Sequence, residues 1–454
     1  MSGSCCRKWL MAAWLLYTGL PYAMSDLFLV ASTSRTVVTK VFIFNTNSFS
    51  VAAKIKGLKQ DSSGLQAASE WDVSISANSF VSIELPSDMN MNATGIYDNH
   101  AISVQSYYDI YLLMQSQTSS VGNLIRPQHI LLFGLVFYPI TPKCLNYNVL
   151  HFMAKYTTTI DVVFPSSKPN TLFATFEGSS YYGGDTLVLE LLGYATAMVE
   201  SIEDLTGTIV RANAPIGMFS GCDYNVTQNM HDYRSDWVLG LKDMGRQYVI
   251  MAHEVPSFSY EKYVIVSATD NTTVIIYSHD NCDEVLLEHS GDSHVVSLSS
   301  INEVVVADKL IVVVHLPYNM AGYHNMYYVM PVSLFNTEYA APSFNGFQFK
   351  VKMTFNNESE NFFVLDGQGV TIEVRDHHLT DFIAVGIIND GFSTNSIQHL
   401  KTNDGYTFGG YMWSVDINER LFITSLGRKT TRQLTYLAQV SAIRDHLSTE
   451  KSSS

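Results

Sequence analysis

Apolar and polar residues alternate in run after run of this chain, and that spacing limits what it can fold into. Phe347, Phe349, Val351, Met353 and Phe355 are separated by Gln348, Lys350, Lys352 and Thr354. Successive side chains of a strand point to opposite faces, so such a run makes a strand with one buried face and one wet face. Val73–Ala77 and Val81–Leu85 repeat the pattern on either side of a turn at Asn78-Ser79. Val304–Val306 and Leu310–Leu316 are unbroken apolar runs, which fit strands covered on both faces, with Asp308-Lys309 as a polar turn between them. Helical spacing is scarce. Thr186 to Met198 is its best stretch, and Gly193 with β-branched neighbours speaks against it. The expected class is all-β.

With 454 residues the chain is too long for a single core. Two sequence features recur in a fixed order. The first is a Ser/Thr/Asn cluster leading into an apolar strand, at Thr33–Val38, Tyr156–Val163 and Asp270–Ile276, and more faintly at Phe355–Phe363. The second is a later strand pair, at Ile102–Gln115, Gly207–Gly221, Glu303–Pro317 and Tyr406–Ser414. The unit length is on the order of 100 residues, which suits a β-sandwich. The expected architecture is about four tandem β-sandwich-like modules, closely packed, at 26–147, 148–257, 258–345 and 346–430, with a polar tail at 431–454.

Residues 1–25 read as a secretory signal. Arg7 and Lys8 precede an apolar stretch from Trp9 to Leu20, and Ala23-Met24-Ser25 places cleavage before Asp26. The chain is therefore expected outside the cell. Four sequons, at Asn92, Asn225, Asn271 and Asn357, are candidate glycosylation sites there. Removal of the signal leaves Cys144, Cys222 and Cys282. Three connectivities are open. Cys222 and Cys282 each follow a β-like run and are the expected pair, and an unpaired third thiol offers a route to a homodimer. The net charge of −15 repels phosphates, so nucleic acid is excluded as a partner.

No motif carries catalytic chemistry. Gly-x-Ser-x-Gly is absent, and Phe219-Ser220-Gly221 reads as a structural turn. Asp376-His377-His378 reads as a surface loop without further ligands at metal spacing. The His231–Asp236 segment lacks calcium-loop spacing, and His253-Glu254 has no second histidine four residues on. Tyr181–Gly184 and Phe408–Gly410 are too short to cradle a phosphate. No catalytic residue, metal or cofactor is expected. The candidate ligand contacts are Tyr318, Tyr323, Tyr327 and Tyr328, which cluster with Asn319, His324 and Asn325, because tyrosine and asparagine suit adaptable binding surfaces. The polar segment Cys222–Asp236 is the second candidate surface.

Several of these runs match a family pattern. Gly207–Gly221 resembles a pair in which a Gly-x-x-Val turn precedes a Pro-Ile-x-Val-x-Ser-Gly strand. Thr269–Ile275 is similar to an Asn-Thr-Thr-Val-Thr strand, and Ala307–Val314 to an Ala-Asp-Lys-Pro-Val-Leu-Val-Val run. Tyr328–Val332 fits an apolar strand ending in proline. Phe408–Met412 with Leu426-Gly427 fits a closing Phe-Gly-x-Tyr-Val and terminal glycine. Together they resemble the N-terminal domain of the IgGFc-binding protein family. The resemblance spans about residues 26–430 and is strongest over 205–340. It implies an extracellular binding or adhesion module of mucus or matrix type, taking protein or glycan ligands. An immunoglobulin partner comes by resemblance only, since no residue here matches an Fc contact. Ala321-Gly322 stands where the family often has Cys-Gly. Two other readings compete: a self-associating matrix or coat protein, and a secreted hydrolase.

Overall fold

The computed structural model describes residues 26–428, apart from 33–38, 62–63, 92, 118–121, 126, 128, 142–146, 228–229, 254–259, 279–280, 299–301, 319–325, 343–349, 357–358, 360–361, 367, 381–382, 389–396, 404, 416–420 and 426. The described residues contain strands and short 3-10 turns and no α-helix, as the alternating patterns require.

The first repeat holds β1 (Asp26–Ala31), β2 (Thr39–Asn45), β3 (Val51–Asp61), β4 (Gly64–Ile75), β5 (Ser79–Glu84), β6 (Gly95–Tyr97), β7 (Ala101–Ser106), β8 (Ile110–Gln117) and β9 (Gly122–Ile125). The second holds β10 (Gly134–Phe137), β11 (Tyr147–Ala154), β12 (Thr158–Val163), β13 (Leu172–Phe176), β14 (Ser179–Tyr182), β15 (Thr186–Leu191), β16 (Thr196–Ser201), β17 (Ile209–Thr227) and β18 (Met230–Trp237). The third holds β19 (Gly245–Ile250), β20 (Tyr260–Ser267), β21 (Thr272–Tyr277), β22 (Cys282–Leu287), β23 (Ser293–Leu298), β24 (Glu303–Tyr318) and β25 (Tyr327–Tyr328). The fourth holds β26 (Glu338–Pro342), β27 (Lys350–Phe355), β28 (Phe363–Leu365), β29 (Gln368–Gly369), β30 (Glu373–Thr380), β31 (Ile383–Ile388), β32 (Ile397–Thr402), β33 (Gly409–Val415), β34 (Leu421–Ser425) and β35 (Gly427–Arg428).

Strand order relates these groups, whose first members β10, β19 and β26 fall before the expected seams at 147, 257 and 345. The second repeat runs β15-β12-β17-β11-β16, and the third runs β22-β21-β24-β20-β23, the same order strand for strand. In both, a further strand on each side, β10 and β18 or β19 and β25, pairs with the long central strand. The first and fourth repeats split that central strand in two. In the first, β7 lies in the sheet β1-β7-β3-β4 and β8 in the sheet β5-β2-β8-β9. In the fourth, β32 lies in β29-β28-β32-β26-β35 and β33 in β30-β31-β27-β33-β34.

A bulge explains how one strand can serve two sheets. β17 pairs with β12 up to Ala212 and with β11 from Ile216 onward. β24 pairs with β21 up to Ala307 and with β20 from Ile311 onward. Extra residues in one strand bend it and let it change partners. Asp308-Lys309 is therefore a bulge inside β24 and not a turn between two strands. Lys309 Nζ donates to the carbonyls of Asp270 and Asn271, which holds the bulge against the preceding turn.

Other sequence expectations are corrected in the same way. Phe219-Ser220-Gly221 lies within β17, so Ser220 is a buried strand residue rather than part of a turn. Cys222–Asp236 is mostly the β17–β18 hairpin, not a polar loop. Asp376-His377-His378 lies within β30. Cys282 is a free, exposed thiol, which rules out the Cys222–Cys282 bridge. Cys222 is buried within β17.

Each repeat packs on two others. One core joins Phe152, Val162 and Met218 of the second repeat to Val312, Val314 and Tyr328 of the third. A second joins Val41, Ile55 and Val104 of the first to Met153, Phe219 and Trp237 of the second. A third joins Phe44, Tyr111 and Leu113 of the first to Val351, Phe355 and Phe408 of the fourth. A fourth joins Tyr263, Ile265 and Val313 of the third to Val385 and Tyr411 of the fourth. The repeats thus close into a ring. At its middle the equivalent strands β9, β18, β25 and β34 meet one another in turn.

Candidate functional site

The unbroken apolar run of β24 follows from this ring. Val312 and Val314 face the second repeat, while Ile311 and Val313 face the core shared with the fourth. Alternation carries His315 to that second face, where it is fully buried. Opposite it on β20 is Tyr263, and on its other side, on β25, is Tyr327. His253, just after β19, and Glu261 on β20 complete a polar cluster inside an apolar core.

Glu261 anchors the cluster. Its Oε1 accepts from the backbone N–H of His253 at 2.7 Å, and its Oε2 lies 3.0 Å from His253 Nδ1. His315 Nε2 lies 2.8 Å from the same Oε2, without the alignment of a hydrogen bond. His315 Nδ1 is 2.6 Å from the Tyr327 hydroxyl. From the fourth repeat, the buried Lys352 ammonium donates to the Ala252 carbonyl and Tyr411 donates to Met251 O. Aromatic rings enclose the group: His253 lies 5.2 Å from His315 and 4.7 Å from Tyr411, centroid to centroid.

Burial disfavours charge here, and the partners decide which groups keep it. Burial pushes His253 down to about 4, although Glu261 pulls the other way, so its ring is neutral at pH 7. Burial alone would raise the Glu261 carboxyl. The charge and hydrogen bond of His253, with His315 adding to them, outweigh burial and hold Glu261 far below the usual carboxylate range. Burial lifts the Tyr327 hydroxyl well above its ordinary value. Alongside, Tyr263 donates to Glu303 Oε2 at 2.5 Å; burial raises both groups. A cavity of about 20 Å³ adjoins the cluster, lined by Met251, Tyr327, Thr354 and Tyr411 among others. That is room for about one water, so no substrate reaches these side chains there.

A second polar group sits at the joint of the second and third repeats. Ser220 Oγ donates to Ile140 O at 2.7 Å and lies 2.7 Å from the Tyr328 hydroxyl, which accepts from Ile140 N at 3.0 Å. Asp236 accepts from the backbone N–H groups of Tyr328 and Trp237, each at 2.8 Å. Burial nevertheless pushes its carboxyl up to about 7.

These positions revise the candidate contacts. Tyr327 and Tyr328 are 4% and 2% exposed, so neither touches a ligand from solution; they pack the joints between repeats. Tyr318 ends β24, and Tyr323 lies outside the described residues. Of the sequons, Asn271 is exposed at the β20–β21 turn, Asn225 lies on β17, and Asn92 and Asn357 fall outside the described residues. Sequence reading missed the His253–Glu261–His315 cluster. The available signal was His315 itself, a lone imidazole inside a run of valines.

Three exposed aromatic residues lie on neighbouring loops of the first repeat. Phe49, Tyr107 and Tyr108, on the β2–β3 loop and the β7–β8 turn of the first repeat, are 46%, 73% and 47% exposed. Phe49 and Tyr108 meet edge to face at 4.9 Å. The model of the family described as IgGFc binding protein matches residues 136–414. The chain belongs to the IgGFc-binding family. That match covers the second and third repeats and most of the fourth, including every residue of the buried cluster. The membership makes this an extracellular binding-protein family in its general character.

No curated protein sequence matches. Among solved structures, a major pilin from Streptococcus pyogenes is 7% identical over 88% of this chain and 96% of its own, with a TM-score of 0.15. An alpha-2-macroglobulin from Escherichia coli is 9% identical over 86% of this chain and 28% of its own, with a TM-score of 0.11. Neither score reflects a shared fold. No helix among the described residues is long and apolar enough to cross a membrane.

Proposed function

We propose that this chain is a secreted binding protein that holds an extracellular protein ligand on the aromatic platform of its first repeat. One observation carries the reading: large apolar rings stand in solvent on loops that are braced from below. Asn45 is fully buried and donates to the carbonyls of Phe49, Ile75 and Ser76. Asn47 donates to Asn45 Oδ1 and to Asp109 O, both at 2.9 Å, which ties the two loops together. Rigid aromatics give up little conformational entropy on binding, so they make efficient anchors.

The test is a binding screen of the protein recovered from culture medium against extracellular proteins and glycan arrays, beginning with IgG Fc because the family description names it. The triple variant Phe49→Ala, Tyr107→Ala, Tyr108→Ala should weaken any captured ligand at least tenfold while leaving the thermal midpoint unchanged. A ligand held equally well by the triple variant would place the contact surface elsewhere. Glycan binding without protein binding would replace the ligand class.

Self-association is the second reading. It is favoured by the free thiol of Cys282 on β22, an edge strand of its sheet. A disulfide-linked dimer on a non-reducing gel that disappears in Cys282→Ser would support it, and a monomer under oxidising conditions would remove it.

A further inference from the structure

We infer that the buried cluster of His253, Glu261 and His315 is a structural binding site for a divalent transition metal of the zinc class. The donor set is one that zinc takes: two imidazoles and a carboxylate. One ring nitrogen from each histidine and a carboxylate oxygen of Glu261 lie within 4.8 Å of one another, and all three residues are buried. Two imidazole nitrogens approach one carboxylate oxygen: His315 Nε2 lies 2.8 Å and His253 Nδ1 3.0 Å from Glu261 Oε2. A cation between the three atoms would engage all of them at once.

The surroundings are arranged as a metal site requires. The His253 backbone N–H occupies Glu261 Oε1 and leaves Oε2 as a single donor. The Tyr327 hydroxyl at 2.6 Å from His315 Nδ1 fixes the ring from behind; with the metal on Nε2, the Nδ1–H donates to it. The proton balance closes without loss: each imidazole binds as the neutral tautomer that carries its hydrogen on the other nitrogen. Glu261 supplies the negative charge. The neighbouring Lys352 ammonium is drawn away onto the Ala252 carbonyl. Three protein donors leave a fourth position, and the adjoining cavity of about 20 Å³ has room there for about one water and none for a substrate. The role is to lock the inner face of the third repeat against the fourth.

The test uses untagged protein expressed with added zinc and purified without chelators. Elemental analysis should find about one zinc per chain. After removal and cobalt reconstitution, a visible ligand-field band should appear and should be lost in His315→Gln and Glu261→Gln. Zinc added back to the stripped protein should raise its thermal midpoint. Since variants in a core can fail to fold, X-ray absorption on the wild-type zinc protein provides a second reading: it should count two imidazole ligands. Metal-free protein that gains neither cobalt band nor stability would overturn the proposal and leave a hydrogen-bonded strut. So would a zinc with fewer than two imidazoles, or a cobalt spectrum unchanged in folded variants.

Discussion

Asn213 in β17 and Asp308 in β24 occupy the same bulge one repeat apart, and each accepts a hydrogen bond of 2.9 Å from the backbone N–H of the equivalent threonine, Thr159 or Thr273. Asn213 also accepts from the Thr158 hydroxyl at 2.7 Å. The Thr-Thr pair near the start of the second and third recurring sequence units is thus the donor side of a contact whose acceptor lies in the later strand. Replacing either acceptor by alanine should cost about 1 kcal/mol in urea unfolding. Asn213→Asp and Asp308→Asn keep an oxygen in place and should cost much less. Equal losses for alanine and for the conservative changes would mean that the bulges do not depend on this contact.

Gly207 and Gly291 meet across the joint of the second and third repeats. Their φ angles are +92° and +90°, and a Cβ on either would lie 2.9 Å from the other's carbonyl oxygen. Alanine at either position should therefore destabilise by about 1–3 kcal/mol, from backbone strain and from displacement of the joint. The double variant should lose less than the sum, because the first change already opens the contact that the second would disturb. Thermal unfolding of the three variants decides the matter.

Asp236 gives a pH dependence with a definite sign. Its carboxyl is at about 7 in the folded chain against 3.8 for the ordinary group. Below pH 4 both states hold the proton and nothing is gained or lost. Between pH 4 and 7 the unfolded chain releases its proton first, so ionisation favours unfolding. The loss grows to about 4 kcal/mol above pH 7 and stays there. The stability of wild type relative to Asp236→Asn should therefore fall as pH rises from 4 to 7. A flat difference across that range would show that the carboxylate is ionised throughout.

Tyr328→Phe removes one hydroxyl from a buried joint. It leaves the Ile140 N–H without its acceptor and removes one of the two partners of Ser220 Oγ, which keeps the Ile140 carbonyl. A buried donor left unsatisfied costs about 1–3 kcal/mol. Chemical denaturation should report a loss in that range, with little change in circular dichroism.

The strands were legible because one wet face imposes alternation, as in Thr158–Val163. Thr158-Thr159 and Thr272-Thr273, which recur in the sequence, also share one local role. Partner changes were not. The Asp308-Lys309 pair has the polarity of a turn, and only the pairing of β24 with β21 before it and β20 after it reveals a bulge. Tyr327 and Tyr328 were misplaced for a related reason. Tyrosine suits surfaces and joints equally, and the ring of repeats that buries them is not written in any local pattern. The His253–Glu261–His315 cluster draws its members from positions up to 62 residues apart, so no spacing rule could assemble it.

Closure into a ring separates the continuity of the chain from the continuity of the particle. The core shared by Phe44 and Phe408 clasps the first repeat to the fourth across most of the sequence. A protease that nicks one connecting loop cuts the polypeptide but frees neither half, since each fragment is still gripped at two seams. The clipped protein should travel as one species until denaturant parts it, a durability suited to fluids rich in proteases.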